Sequence, residues 1–301
     1  MRKNRTMPET SVVLPSVGEP LRLLAVHAHP DDESSKGAAS TAKYVHEGVE
    51  ILVVSCTGGE RGDILNESFE LGDRDIAQVR RDEMATAAQV LGIKHRWLGF
   101  EDSGWPDGDP KPPLPQGCFG ALPLEQVAAP VVDIVREFRP HVITTYDENG
   151  GYPHPDHVRT HEVSMYAWHK AADEDFVTDA PPWAIAKMYY HHTFSKERIV
   201  AFHEALLAAG LESPYAEWLA EWDDEDRPSR VTARIHCADF FEIRDEALKA
   251  HATQIDPNGS WFAVPRSMQI EIWPTEDYEL ALSRIGDIGP EDDLFAGLRN
   301  T

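Results

Sequence analysis

The sequence predicts an α/β protein: a Rossmann-like, mostly parallel sheet with helices on both faces, and a C-terminal α+β region packed on that core. Three observations predict it. Short apolar runs such as "LRLLAVHA" (21–28) and "EILVVSCT" (50–57) lack polar alternation, as expected of strands buried on both faces. Stretches of helical period separate such runs, and alternating strands and helices imply a parallel sheet. The densest charge, "HAHPDDES" and "YDENGGYPHPDH", falls directly after two of the strands, where sheets of this kind keep their sites.

The elements follow in order. After the first strand, "KGAASTAKYVHEGV" (36–49) reads as a helix ending near Gly48, and 50–57 as the second strand. The polar loop "GGERGDILNE" follows. In "DIAQVRRDEMATAAQVLG" (75–92), Ile76, Val79, Met84, Ala87, Ala88 and Leu91 share a helix face, and Gly92 closes it. "HRWLGF" (95–100) reads as a strand, "LEQVAAPVVDIVREF" (124–138) as a helix and "HVITTY" (141–146) as another buried strand. Beyond about residue 175 the pattern is less regular. "AKMYYHHTF" and "RVTARIHC" read as strands, "KERIVAFHEALLAAG" and "ADFFEIRDEALKAHATQI" as helices. Residues 1–20, rich in Pro, Ser and Thr, read as a disordered tail. Residues 21–175 form the core, and 176–301 pack on it within the same domain, since no Gly/Ser linker divides them.

Composition excludes several classes. The chain of 301 residues carries 52 acidic and 28 basic side chains, a formal charge of -24, so nucleic acid and anionic membranes are poor partners. Most of the acids, including "EWDDEDR" (221–227), read as solvated surface. No run approaches the ~18 apolar residues of a membrane span, and the basic N-terminus has no apolar segment of a secretory signal. Cys56, Cys118 and Cys237 are odd in number and far apart, which reads as reduced thiols in a cytoplasm. GxGxxG, GxxxxGK[ST] and GxSxG are absent, and "TGGERG" (57–62) is a weak anion-binding signal.

The two charged loops can meet over one sheet edge, and a divalent metal explains their meeting. His29 and Asp32 come from the first loop and His157 from the second. Two imidazoles and a carboxylate form a hydrolytic zinc set that leaves a position open for water, whose pKa zinc lowers to about 7. Zn²⁺ is the expected cofactor; Fe²⁺ is the alternative, since it accepts the same donors. Asp31, beside Asp32, is placed to take the proton from that water. His154 is placed to stabilise the oxyanion or protonate the leaving amine, and Tyr152 to donate to the oxyanion. His161, one helical turn beyond His157, is a rival ligand. Strand alternation turns His27 away from His29, as a packed residue. The histidines of "YYHH" (189–192) face opposite sides of a strand, which argues against a metal site there.

"AHPDDES" together with "GGYPHPDH" resembles the LmbE-like, or PIG-L, family of zinc-dependent N-deacetylases and amidases acting on glucosamine derivatives. "GGERGDILN", "WLGFEDSG", "HATQIDP", "WPTEDYELA" and "DDLFAGLR" extend the likeness over roughly residues 21–299, and are most similar to the branch that cleaves mycothiol S-conjugates. The resemblance implies zinc ligands at His29, Asp32 and His157, a general base at Asp31, and an oxyanion and leaving-group residue at His154, oriented by Asp156 and assisted by Tyr152. It implies substrate contacts at Arg80 and Asp102 on the sugar side, at Lys36, where a cation suits a larger conjugate, and at Glu60. Residues 176–301 would complete the pocket. The reaction implied is hydrolysis of the amide between glucosamine nitrogen and acyl-cysteine in a small thiol-sugar conjugate. It yields a mercapturate and glucosaminyl-inositol, for detoxification. A paralogue serving antibiotic (lincosamide-type) assembly, or an N-acetylglucosaminyl-inositol deacetylase, would share these residues. Two other classes are weaker: two histidine ligands disfavour a Mg²⁺ phosphohydrolase, and the spare acid Asp31 disfavours a binding protein with a structural metal.

Overall fold

A computed structural model of the chain describes residues 11–16, 18–222, 229–286 and 289–299. Seven strands form one sheet: β1 (Arg22–His27), β2 (Glu50–Thr57), β3 (Lys94–Phe100), β4 (Val142–Thr145), β5 (Lys187–His191), β6 (Ala233–His236) and β7 (Thr275–Ser283). Their order is β3-β2-β1-β4-β5-β7-β6. The first five are parallel, β7 is antiparallel to β5, and β6 is antiparallel to β7. The chain winds outward from β1 to β3, then crosses back to β4 on the other side of β1. The crevice between β1 and β4 is therefore the switch point, where the C-terminal strand ends open a site.

Both faces are covered because β1, β2 and β4 are apolar throughout. Leu24 and Val26 face α4 (Leu124–Phe138) and α5 (Pro155–Ala171), in a core with Val131, Val135, Val163 and Trp168. Leu23 and Ala25 face the opposite layer, where Tyr44 of α2 (Ala38–His46), Met84 of α3 (Ile76–Leu91) and Phe295 pack. The expected helix at 36–49 begins at Ala38, and one separate turn, α1 (Asp32–Ser35), precedes it. The helix expected at 75–92 runs Ile76–Leu91, closed by Gly92 in the left-handed region.

The C-terminal region adds α6 (Lys196–Ala208), α7 (Ala216–Glu221), α8 (Phe241–Ala250) and α9 (Arg266–Ile272). Sequence pattern missed two elements that matter. Helix α5 starts inside the motif "HPDH", and Pro155 suits its first turn because that position needs no N–H partner. Strand β7, "TEDYELALS", hides behind its charges, one of which works inside the protein. Glu276 accepts from the N–H groups of Ala39 and Ser40 at the start of α2. Much of the expected N-terminal tail, and most of the acidic cluster at 221–227, lie outside the described residues. Among the described residues no helix is long and apolar enough to cross a membrane.

Candidate metal centre and catalytic site

The loop after β1 and the start of α5 converge at the switch point. Side-chain atoms of His29, Asp32 and His157 all lie within 4.8 Å of one another, and all three residues are buried. Asp32 Oδ2 is 3.7 Å from His29 Nδ1 and 3.5 Å from His157 Nε2. Ligands ~2.0–2.2 Å from a tetrahedral ion sit about 3.3–3.6 Å apart, so the spacing suits one ion.

The hydrogen bonds behind each ligand favour this set. His157 Nδ1 is 2.9 Å from the Gly150 carbonyl, so that nitrogen carries the proton and the Nε2 lone pair faces Asp32. His157 Nε2 is buried and has no hydrogen-bond partner, the kind of orphan a cation satisfies. On His29, Nε2 lies 3.3 Å from Asp156 Oδ2, which frees Nδ1 for the ion. Asp32 accepts from the backbone N–H of His29, the Tyr146 hydroxyl at 2.7 Å and Lys36 Nζ at 2.7 Å. Burial works to raise its carboxyl, but Lys36, His157 and His29 outweigh burial and hold it well below the usual carboxylate range. Despite burial, Asp102, Asp156 and Asp32 hold the His29 imidazole protonated up to about 10 in the ion-free site. So much negative charge around one imidazole calls for a cation.

His29, His154 and Asp156 form a second close group. It is the poorer candidate, because His154 Nδ1 already accepts from the Asp156 backbone N–H, as the N-cap of α5. Its Nε2 therefore carries the proton and points no lone pair inward. Burial, then the charge on His29, lowers His154 to about 4, so the ring is neutral near pH 7. Tyr152 is 45% exposed, with its ring 4.5 Å from that of His157, and burial followed by Asp32 keeps its phenol protonated.

Asp31 adopts φ 100°, a left-handed conformation that costs an L-residue on the order of 1–3 kcal/mol. Its neighbours hold it there. Its N–H donates to Glu33 Oε2, and Arg80 reaches its Oδ2 at 3.1 Å. Burial raises the Asp31 carboxyl, and Arg80 moderates the rise.

The residues expected to touch substrate sit deeper than sequence suggested. Arg80 is 3% exposed and lies behind Asp31, donating also to the carbonyls of Gly59 and Pro30. Asp102 ties down the loop after β2 by accepting from Arg61 and Gly104, while Glu60 accepts from the Asp102 N–H. The Lys36 ammonium is engaged by Asp32 and Ser35. The Asp156 carboxylate faces His29 and Ser103 and not His154, correcting the orienting contact expected from the sequence. Its partners come from the loop after β3, which local pattern could not supply. His161 Nδ1 is taken by the Tyr146 carbonyl, and His161 belongs to neither close group. His27 is packed and bonds the Tyr146 hydroxyl at 3.3 Å.

Sequence reasoning also missed four neighbours. Tyr146 stacks on His157 at 4.3 Å as well as bonding Asp32. Trp105 leans on the rings of Tyr152 and His154. Glu33 pairs with His251 at 2.7 Å, both fully buried, underneath Asp31. Tyr146 had a signal, the last residue of an apolar strand. The Glu33–His251 pair spans the chain, and no local pattern announces it.

Comparison with known proteins adds to this geometry. Residues 24–168 match the family model PIG-L, described as GlcNAc-PI de-N-acetylase. The chain is 56% identical over 288 residues to the mycothiol S-conjugate amidase of Streptomyces coelicolor, covering 93% of this chain and 98% of that one. It is 39% identical over 298 residues to the 1D-myo-inositol 2-acetamido-2-deoxy-alpha-D-glucopyranoside deacetylase of Geodermatophilus obscurus, covering 92% and 98%. The fold is shared with the N,N'-diacetylchitobiose deacetylase of Pyrococcus horikoshii at a TM-score of 0.61 and 19% identity, over 91% of this chain and 88% of that one.

Proposed function

The chain belongs to the PIG-L family, and on that premise we propose that it hydrolyses the amide joining glucosamine nitrogen to the acyl-cysteine of mycothiol S-conjugates. It is a hydrolase of C–N amide bonds. The observation that carries the chemistry is a buried, unpartnered His157 Nε2 facing Asp32, with Asp31 beside that ligand as a further carboxylate. The substrate rests on the 56% identity, which extends through the C-terminal region.

A divalent cation held by His29, Asp32 and His157, Zn²⁺ in our reading with Fe²⁺ as the alternative, supplies Lewis acidity toward the carbonyl and an attacking water that ionises near pH 7. Asp31 takes the proton of the attacking water on its carboxylate, whose raised affinity for a proton suits a base near neutrality. Arg80 holds that carboxylate from behind. Neutral His154 donates its Nε2–H to the developing oxyanion, and the protonated phenol of Tyr152 adds a second donor. The proton held by Asp31 then passes to the glucosamine nitrogen as the C–N bond breaks. The products are a mercapturate and glucosaminyl-inositol, and export of the former is detoxification.

The test removes the metal with a chelator, restores it with Zn²⁺ or Fe²⁺, and follows amine release from a mycothiol S-conjugate. Turnover should vanish and return at one ion per chain. Full activity in protein shown to hold no ion would overturn the reading.

A further inference from the structure

A cavity of about 370 Å³ lies beside the metal centre, walled by residues of α6, α7 and α8 and by the segment after β5. It falls in the size range of small-molecule pockets, ~300–1,000 Å³. Three aromatic rings stand at it in one cluster. Phe194 is 5.7 Å from both Trp218 and Trp261, and the three are 42%, 40% and 37% exposed. Large rings left this open have not been used to fill a core. Arg198 also lines the cavity, with 9% of its surface exposed. It donates to the Thr193 carbonyl at 3.1 Å and lies over the Phe202 ring, yet forms no ion pair among the described residues. A guanidinium so buried, with N–H groups to spare, calls for an acceptor.

The cavity is next to the reacting centre. Ser35 lines it, three residues beyond ligand Asp32, and the Ser35 hydroxyl accepts from the same Lys36 ammonium that bonds Asp32. Strand order sets the direction. Glu60 and Asp102 follow β2 and β3, on one flank of the β1–β4 crevice, while Thr193 and Phe194 follow β5, on the other. A substrate whose sugar lies toward Glu60 and Asp102 carries its acyl side toward Phe194.

We propose that this cavity is the subsite for the group on the cysteine sulfur, and that it selects flat aromatic substituents bearing an acceptor oxygen within reach of Arg198. The inference rests on the amidase reading. The rings offer stacking surface at little conformational cost. The guanidinium pairs with a carboxylate or carbonyl at the far end of the substituent.

Two measurements test it. The first compares kcat/KM for the S-(4-carboxybenzyl) and S-methyl conjugates of mycothiol in wild type, Trp261→Ala and Arg198→Met. The wild type should prefer the aryl conjugate, and each variant should cut that preference about tenfold, chiefly through KM. The second titrates chelated protein with N-acetyl-S-(4-carboxybenzyl)cysteine or with glucosaminyl-inositol, following tryptophan fluorescence. Quenching by the aryl acid alone, lost in Trp261→Ala, supports the subsite even if neither conjugate is cleaved, an outcome that would sink the amidase reading by itself. An unchanged aryl-to-methyl ratio in a folded Trp261→Ala, or quenching by glucosaminyl-inositol alone, would overturn the subsite and leave the amidase standing.

Discussion

Asp31 and Asp32 are adjacent carboxylates given opposite roles by their surroundings. Asp32 receives three donors and stays ionised as a ligand, whereas Asp31 is buried, raised and held mainly by Arg80. Replacing Asp31→Asn should lower kcat by roughly 10²–10⁴ while metal content stays at the wild-type value by elemental analysis. Loss of metal in that variant would make Asp31 a ligand and refute its assignment as base. The Glu33–His251 pair beneath it links stability to pH. Burial raises the Glu33 carboxyl, but His251 outweighs burial and holds it down to about 2, and Glu33 in turn raises His251 above 6.5 despite burial. A depressed acid stabilises the fold above its unfolded value of 4.5 and loses that effect as pH falls toward 2; a raised histidine stabilises below 6.5 and loses it as pH climbs. The Tm difference between wild type and Glu33→Gln should therefore be largest between 4.5 and 6.5. A difference independent of pH would show that the pair contributes packing and no charge.

The loop joining β4 to α5 decides whether His157 reaches the metal. Gly150 takes φ +75°, and a Cβ there would meet the His157 Cβ at 2.6 Å and the Tyr152 carbonyl at 2.8 Å. Gly150→Ala should thus weaken metal binding by about 10–100-fold with circular dichroism unchanged. Wild-type affinity in a calorimetric titration would show that this loop does not set the His157 ligand. Much at this scale was legible. "LRLLAV" and "HVITTY" could only be buried strands, and their order, with the charged loops after them, located the crevice. Illegible elements were those whose polar residues work inside the protein. The charges of β7 disguise a strand, and "HPDH" is both a ligand loop and the first turn of α5. Arg80, Asp102 and Lys36 were found by resemblance, but only tertiary packing tells that they back the site rather than line it.

At the scale of the whole molecule, an ion at the β1–β4 crevice ties together two chain segments far apart in sequence. Binding to the folded state alone stabilises by about 4 kcal/mol at a thousandfold excess over Kd, on the order of 10 °C in Tm for a large domain. Chelation should lower Tm by that order, and His157→Ala should abolish the difference; an equal drop in His157→Ala would place the ion elsewhere. The acidic surface and the shared sheet say little about which amide is cut. That claim is tested most directly by following amine release from two substrates in parallel, a mycothiol S-conjugate and N-acetylglucosaminyl-inositol, with metal-replete and chelated protein. An amidase of this kind should give chelator-sensitive cleavage of the conjugate well above that of the acetyl sugar. Cleavage of the acetyl sugar alone would contradict it and make the chain a deacetylase.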